Sequence, residues 1–158
     1  MRIGRALHWC LCMFHLNELP LRQLFVFMDG KTTGPQTFNG FIGKSLSNCE
    51  TLPIVNFEVI NASPLCNFSD QQYFLDIIYA VTTGEIKDGL EKRSPGNLVQ
   101  SRWLTLANRV LRLYIAMEGP SFNLRLLTEF IIRSYSVVWF SIKPVSYTHL
   151  TLPTIYSV

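Results

Sequence analysis

Val99–Lys143 reads VQSRWLTLANRVLRLYIAMEGPSFNLRLLTEFIIRSYSVVWFSIK, and how this stretch folds decides the architecture. At about 100° per residue, Trp103, Leu106, Ala107, Val110, Leu113, Tyr114 and Met117 fall in one sector, while Arg102, Thr105, Asn108, Arg109 and Arg112 fall in the opposite one. Leu104, Leu111 and Ile115 add a second apolar stripe, so the first helix is expected to pack on two sides. Gly119-Pro120 ends it. The second half has its own stripe of Leu124, Leu127, Ile131, Tyr135, Val138 and Ile142, and Arg125, Glu129 and Arg133 stand i, i+4 on the other face. The pattern predicts an antiparallel helical hairpin over 99–143 with the face of Arg125, Glu129 and Arg133 exposed.

The rest of the chain extends the helical reading. Ile3–Leu16 is apolar nearly all round, and Asn17-Glu18-Leu19-Pro20 predicts a break there. A short helix from Pro20 is expected to stop at Asp29-Gly30. Lys31–Lys44, with GPQTFNGFIG inside it, has no helical period and reads as a structured loop; as a phosphate loop its glycines have the wrong spacing. Leu52–Ile60 suits one short strand or an extended connection, with Pro53 barring a central position in a sheet. Phe68–Gly84 is a well-punctuated helix, with Ser69 and Gln72 as a capping box, Phe68 and Tyr73 as a staple and Gly84 at the end. The predicted helices are 5–16, 20–29, 69–83, 99–118 and 122–142. The fold class is mainly α, a single unit over 1–144 with at most one or two short strands.

Composition bounds the function. The 158 residues are 48% hydrophobic and only 16% charged, which leaves apolar faces for a protein partner. A net charge of +3 is too mild to argue for nucleic acid alone. Four cysteines in a chain of this length do not make a disulfide framework, no secretory leader is recognisable, and no run is long enough to span a bilayer. An intracellular compartment and no membrane are expected.

Candidate chemistry is sparse. His8, Cys12 and His15 share one face of a helix and are the candidate metal ligands, yet Cys10 points away and structural zinc takes four ligands. No metal, cofactor or catalytic set is therefore expected. Asp29, Asp70, Asp76, Asp88, Glu118 and Glu129 are scattered, and most have a cap, turn or ion-pair role. No phosphate-binding, kinase or hydrolase signature occurs.

Two motifs carry a resemblance. Cys12-Met13-Phe14-His15 is a C-x2-H, and Arg102-Trp103 opens the hairpin. In order they resemble hobo/Activator-type transposases, in which a C-x2-H helix belongs to an RNase H-like core and an Arg-Trp to a helical insertion domain. The run from HWCLCMFHLNELPLRQLF to SRWLTLANRVLRLYIA also resembles a dispersed invertebrate family linked to mobile elements. The resemblance implies an incomplete fragment of a larger α/β protein, nuclear in location, that meets DNA through its parent. It makes Arg102 and Trp103 candidate nucleic-acid contacts, with the Trp a base-stacking platform, although its place in the apolar stripe favours a core anchor; Arg109 and Arg112 on the same helix are further candidate nucleic-acid contacts. Such enzymes hold two metals with three carboxylates, positions that fall outside this chain, so no DNA cleavage is expected of it. The last segment, Val145–Val158, begins VSYTHLTLPT and looks like a translated adapter end from transposase-based sequencing libraries; it is expected to be unpacked. The alternatives are a helical protein–protein interaction module and a small zinc-binding regulator on the N-terminal cluster.

Overall fold

The structure, a computed structural model, describes residues 13–32, 38–62, 71–96 and 103–148. It is mainly helical, with no sheet among these residues. The helices are α1 (Met13–Asp29), α2 (Phe41–Leu46), α3 (Gln72–Thr83), α4 (Trp103–Tyr114), α5 (Phe122–Phe130) and α6 (Ser136–Thr148). A 3-10 turn spans Cys49–Thr51, and a π turn, Ile131–Tyr135, joins α5 to α6 without a break.

Helix α4 is the centre. Every residue from Thr105 to Tyr114 is buried, and α1, α2, α3, α5 and the Cys49–Thr51 turn all pack on it. The second apolar stripe thus has its partner, while Thr105, Asn108, Arg109 and Arg112 of the polar stripe are enclosed as well. Helix α5 follows across Gly119-Pro120, with the Ser121 hydroxyl accepting from Leu124 N at 3.3 Å as its cap. The helical hairpin is therefore present, continued by α6.

The break expected near Asn17 does not occur. Helix α1 runs through Pro20, because Asn17 does not cap a helix: its buried side-chain amide donates to Tyr135 O at 3.0 Å. Eleven residues on, Met28 O accepts from the Asn123 amide at 2.8 Å. The start of α1 thus meets the end of the π turn and its end meets the start of α5, so α1 lies antiparallel to the α5–α6 rod. Tertiary bonds outweigh the local proline penalty. In the π turn, Ser136 N bonds Ile131 O, five residues back, and the Ser136 hydroxyl takes the carbonyl of Ile132 at 2.8 Å.

Lys31–Lys44 is a loop only in part, since α2 begins at Phe41. Asp29 is the reason. Its carboxylate accepts from Ile42 N at 2.8 Å and Gly43 N at 2.6 Å, capping α2 from the end of α1 and occupying the N–H groups a phosphate would need. The glycines are steric requirements: a Cβ on Gly40 would lie 1.9 Å from Asp29 O, and one on Gly43 would lie 2.3 Å from the Phe38 Cβ. The one bridge among the described residues pairs Thr32 with Phe38 across this loop.

Leu52–Ile60 forms no strand. It is an extended strap held by Val55 N bonding Ile115 O and Ile60 N bonding Val81 O, each at 3.0 Å. Helix α3 ends at Gly84 as expected, with φ +78° and Gly84 N on Ala80 O at 2.8 Å. Its first residue is Gln72; the capping box at Ser69 and the staple residue Phe68 lie outside the described residues. The stop expected at Lys143-Pro144 is also corrected, since α6 continues to Thr148: the proline forfeits one helical N–H, and the turn persists. Residues 149–158 lie outside the described residues.

Gly43 gives a test of sign. In an ordinary helix Gly→Ala gains about 1 kcal/mol. Gly43→Ala is expected to lower the urea midpoint instead, because the new methyl meets Phe38 and the Asp29 carboxylate.

Candidate functional site

The candidate nucleic-acid contacts are placed first. Arg102 lies outside the described residues. Trp103 is half-buried and meets Phe25 edge-on, ring centroids 6.5 Å apart, against the core. Arg109 and Arg112 are 6% and 1% exposed, so these two candidate contacts lie inside the fold. Two apolar stripes flank their face closely, so burying them carries the arginines inside with their aliphatic stems.

Each arginine is engaged by backbone. Arg109 donates through Nε to Gly96 O at 2.8 Å and through Nη1 to Leu46 O at 2.6 Å. Its Nη1 and Nη2 grip both oxygens of Glu50 at 2.8 and 3.1 Å. Burial works against the Glu50 charge, but the Arg109 bonds outweigh it and hold the carboxyl below its ordinary range. Arg112 Nη2 donates to Leu52 O at 2.6 Å, and Asn108 Nδ2 to Pro95 O at 3.2 Å. Cys49, buried beside Arg109, has its thiol pushed up to about 12, chiefly by burial. It is a packed thiol rather than a nucleophile.

The same pattern recurs along the strap. Tyr114 Oη donates to Glu58 O at 2.9 Å, and Arg133 Nη2 to Asn61 O at 3.2 Å. Arg125 pairs with Glu58 at 2.6 Å and, as expected from the i, i+4 spacing, with Glu129 at 3.2 Å.

Asp76, on the inner face of α3, is the second charged node. Its buried carboxylate accepts from Lys87 Nζ and Arg93 Nη2, each at 2.6 Å, and from Gln72 Nε2 at 2.7 Å. Burial opposes the charge, and these three donors more than offset it, leaving the carboxyl below its usual range. Four donors and acceptors saturating one another make a structural clamp, not an acid–base site.

His8 and Cys12 lie outside the described residues, and of His15 only its place in α1 is described. Among the described residues no three His, Cys, Asp or Glu side chains gather to hold a metal ion. No described helix is long and apolar enough to cross a membrane.

A third feature lies at one corner. The end of α1, the start of α2 and the start of α5 are drawn together by the Asp29 carboxylate and the Asn123 amide. Each element carries a phenylalanine in solvent there: Phe27 is 82% exposed, Phe41 67% and Phe122 75%. Lys31, two residues after the end of α1, and Lys44, within α2, are both exposed, and neither forms an ion pair among the described residues. Periodicity did not reveal this corner, because Phe41 stands in a segment without helical period and Phe27 and Phe122 lie beyond the apolar stripes. Compared with protein-family models, with curated proteins and with solved structures, the chain matches none.

Two outcomes follow from the charged nodes. Arg109→Met is expected to lose about 3 kcal/mol in denaturant unfolding, since it strands Glu50 and orphans the carbonyls of Leu46 and Gly96. For pH, both carboxyls are depressed, so their stabilisation is complete above the unfolded value of about 4 and is lost as pH falls through the lower folded values. Thermal unfolding from pH 6 to pH 2 is expected to fall steeply in the wild type and less steeply in Asp76→Asn.

Proposed function

We propose that this chain is a helical protein-interaction module that works through the corner of Phe27, Phe41 and Phe122. The observation that supports it is the exposure of three large aromatic side chains on three element ends that are pinned together. Isolated exposed apolar residues need no explanation, but aromatic groups gathered on a rigid frame form an anchor surface. The exposed Lys31 and Lys44 favour an apolar segment that also carries carboxylates, such as an acidic amphipathic helix.

A mobile-element origin, as the resemblance implies, fits this reading if the hairpin serves protein assembly in its parent. Trp103 is turned to Phe25, and Arg109 and Arg112 are spent on carbonyls and Glu50. A role in stacking a displaced base or gripping phosphate at these three residues would require α4 to leave the core.

The test is selection of displayed amphipathic peptides on the full chain, with Phe27→Ser/Phe122→Ser as the counter-target. Enriched peptides are expected to carry apolar residues at i, i+3 or i+4 with Asp or Glu. Their affinity is expected to fall at least about tenfold in the double variant, with circular dichroism unchanged. Peptides that bind both proteins equally would overturn the reading. So would salt-sensitive duplex DNA binding that the double variant leaves intact, or a dimer that the variant dissolves, each of which assigns another occupant.

A further inference from the structure

Helix α1 is apolar on two faces, and the fold uses one of them. With Leu21 as origin at about 100° per residue, Asn17, Leu24, Phe25 and Met28 lie within about 60° of it. That sector meets the core: Leu21 and Phe25 are fully buried, and Leu24 and Met28 pack against them. The opposite sector holds Leu16, Leu19, Gln23, Val26 and Phe27. Leu16 and Leu19 are 42% and 49% exposed, Phe27 stands in solvent, and so does Gln23. Single exposed leucines need no explanation. Here Leu16, Leu19, Gln23 and Val26 recur in alternating steps of three and four residues, which is the spacing of a helix–helix seam.

The seam runs into the phenylalanine corner, because Phe27 belongs to both. From Leu16 to Phe27 is eleven residues of continuous helix, about 16 Å or three turns. The corner is therefore one end of a longer surface. Its charge is uneven along α1. Arg22, at the edge of the outer sector, and Lys31, two residues past the helix end, are exposed and form no ion pair among the described residues. Lys44 is in the same state, in the helix that Asp29 ties to this end of α1. Asp29 itself is occupied by the N–H groups of Ile42 and Gly43, so the corner end of the surface is the basic end. Carboxylates are most favourable in the first turn of a helix. A helix that answers these cations with an acidic first turn starts at the corner and runs towards Leu16, against the direction of α1.

We propose that the partner is an amphipathic helix of about three turns, acidic in its first turn, that lies antiparallel along the outer face of α1 from the phenylalanine corner to Leu16. It rests on the reading of the corner as a protein-interaction site and adds a seam, a length and a direction. Gln23, the polar residue within the seam, sets the register by asking for a polar group opposite.

The test uses the full chain and acidic amphipathic peptides selected on it from displayed libraries of two lengths, about eight and about sixteen residues. The long peptides are expected to bind at least about tenfold tighter than the short ones. Leu16→Ser/Leu19→Ser is expected to remove that difference and leave the short peptides unaffected, while Phe27→Ser/Phe122→Ser weakens both lengths. Arg22→Glu is expected to weaken the long peptides, and lysine in place of the facing peptide glutamate to restore them. A nitroxide at the peptide N-terminus is expected to broaden the amide signals near Lys31 and Phe122, and one at the C-terminus those near Leu16. Circular dichroism checks that each variant stays folded; should one unfold, the nitroxide map on the wild type decides. Long peptides that keep their affinity in Leu16→Ser/Leu19→Ser but lose it in Phe27→Ser/Phe122→Ser would overturn the seam and leave the corner standing. Nitroxide effects at the opposite ends would overturn the direction. Libraries that yield no binder, or binders indifferent to both double variants, would remove the corner reading as well.

Discussion

Burying α4 on every side forces the rest of the molecule into place, because that helix carries two arginines, an asparagine and a threonine into the interior along with its leucines. A buried polar group without a partner costs about 1–3 kcal/mol, a sizeable fraction of the net stability of about 5–15 kcal/mol that a small protein has. The chain around α4 is arranged accordingly. Residues 46–62 do not complete a sheet; they offer carbonyls. Leu46, Leu52, Glu58 and Asn61 each receive a side-chain donor, from Arg109, Arg112, Tyr114 and Arg133 in turn.

This exchange explains why a segment with the β-branched content of a strand stays unpaired. A strand needs a neighbour to take its N–H and C=O groups. Here long side chains from α4 and the π turn take the carbonyls, and two N–H groups go to Ile115 O and Val81 O at helix ends. Those two acceptors are among the carbonyls a helix leaves unpaired at its C-terminal turn. The strap and the helix ends thus settle each other's hydrogen bonds, and neither could be moved without exposing the other.

The sequence made some of this legible and hid the rest for identifiable reasons. The helical hairpin, the Gly84 stop and the Arg125–Glu129 pair follow from period, cap and spacing, which are local. The direction faced by Arg109 and Arg112 is not local. A stripe of arginine and asparagine opposite a stripe of leucine normally marks solvent, and only the second apolar stripe at Leu104, Leu111 and Ile115 hinted that both sides of the helix would be covered. Asn17 and Pro20 misled in the opposite sense, since punctuation that ends a helix in isolation is outweighed once Asn17 has Tyr135 O to bond. The capping of α2 by Asp29 was legible to no periodic argument, because the cap comes from another element.

The same distinction separates scaffold from surface. Charges that read as a binding face from the sequence are the ones the fold consumes, and aromatic residues to which no periodic pattern gave a role are the ones it leaves outside. Phe27, Phe41 and Phe122 gain nothing for stability in solvent, whereas the contacts that bring their three elements together, the Asp29 carboxylate on Ile42 and Gly43 and the Asn123 amide on Met28 O, are made by neighbouring residues in the chain. A frame that fixes its ends so closely and places an aromatic ring beside each fixing point has lowered in advance the ordering cost of any partner that covers them. The arginine bonds lie elsewhere, on Leu46, Glu50, Leu52 and Gly96, so the buried cations of α4 hold the fold together while the corner is held by Asp29 and Asn123.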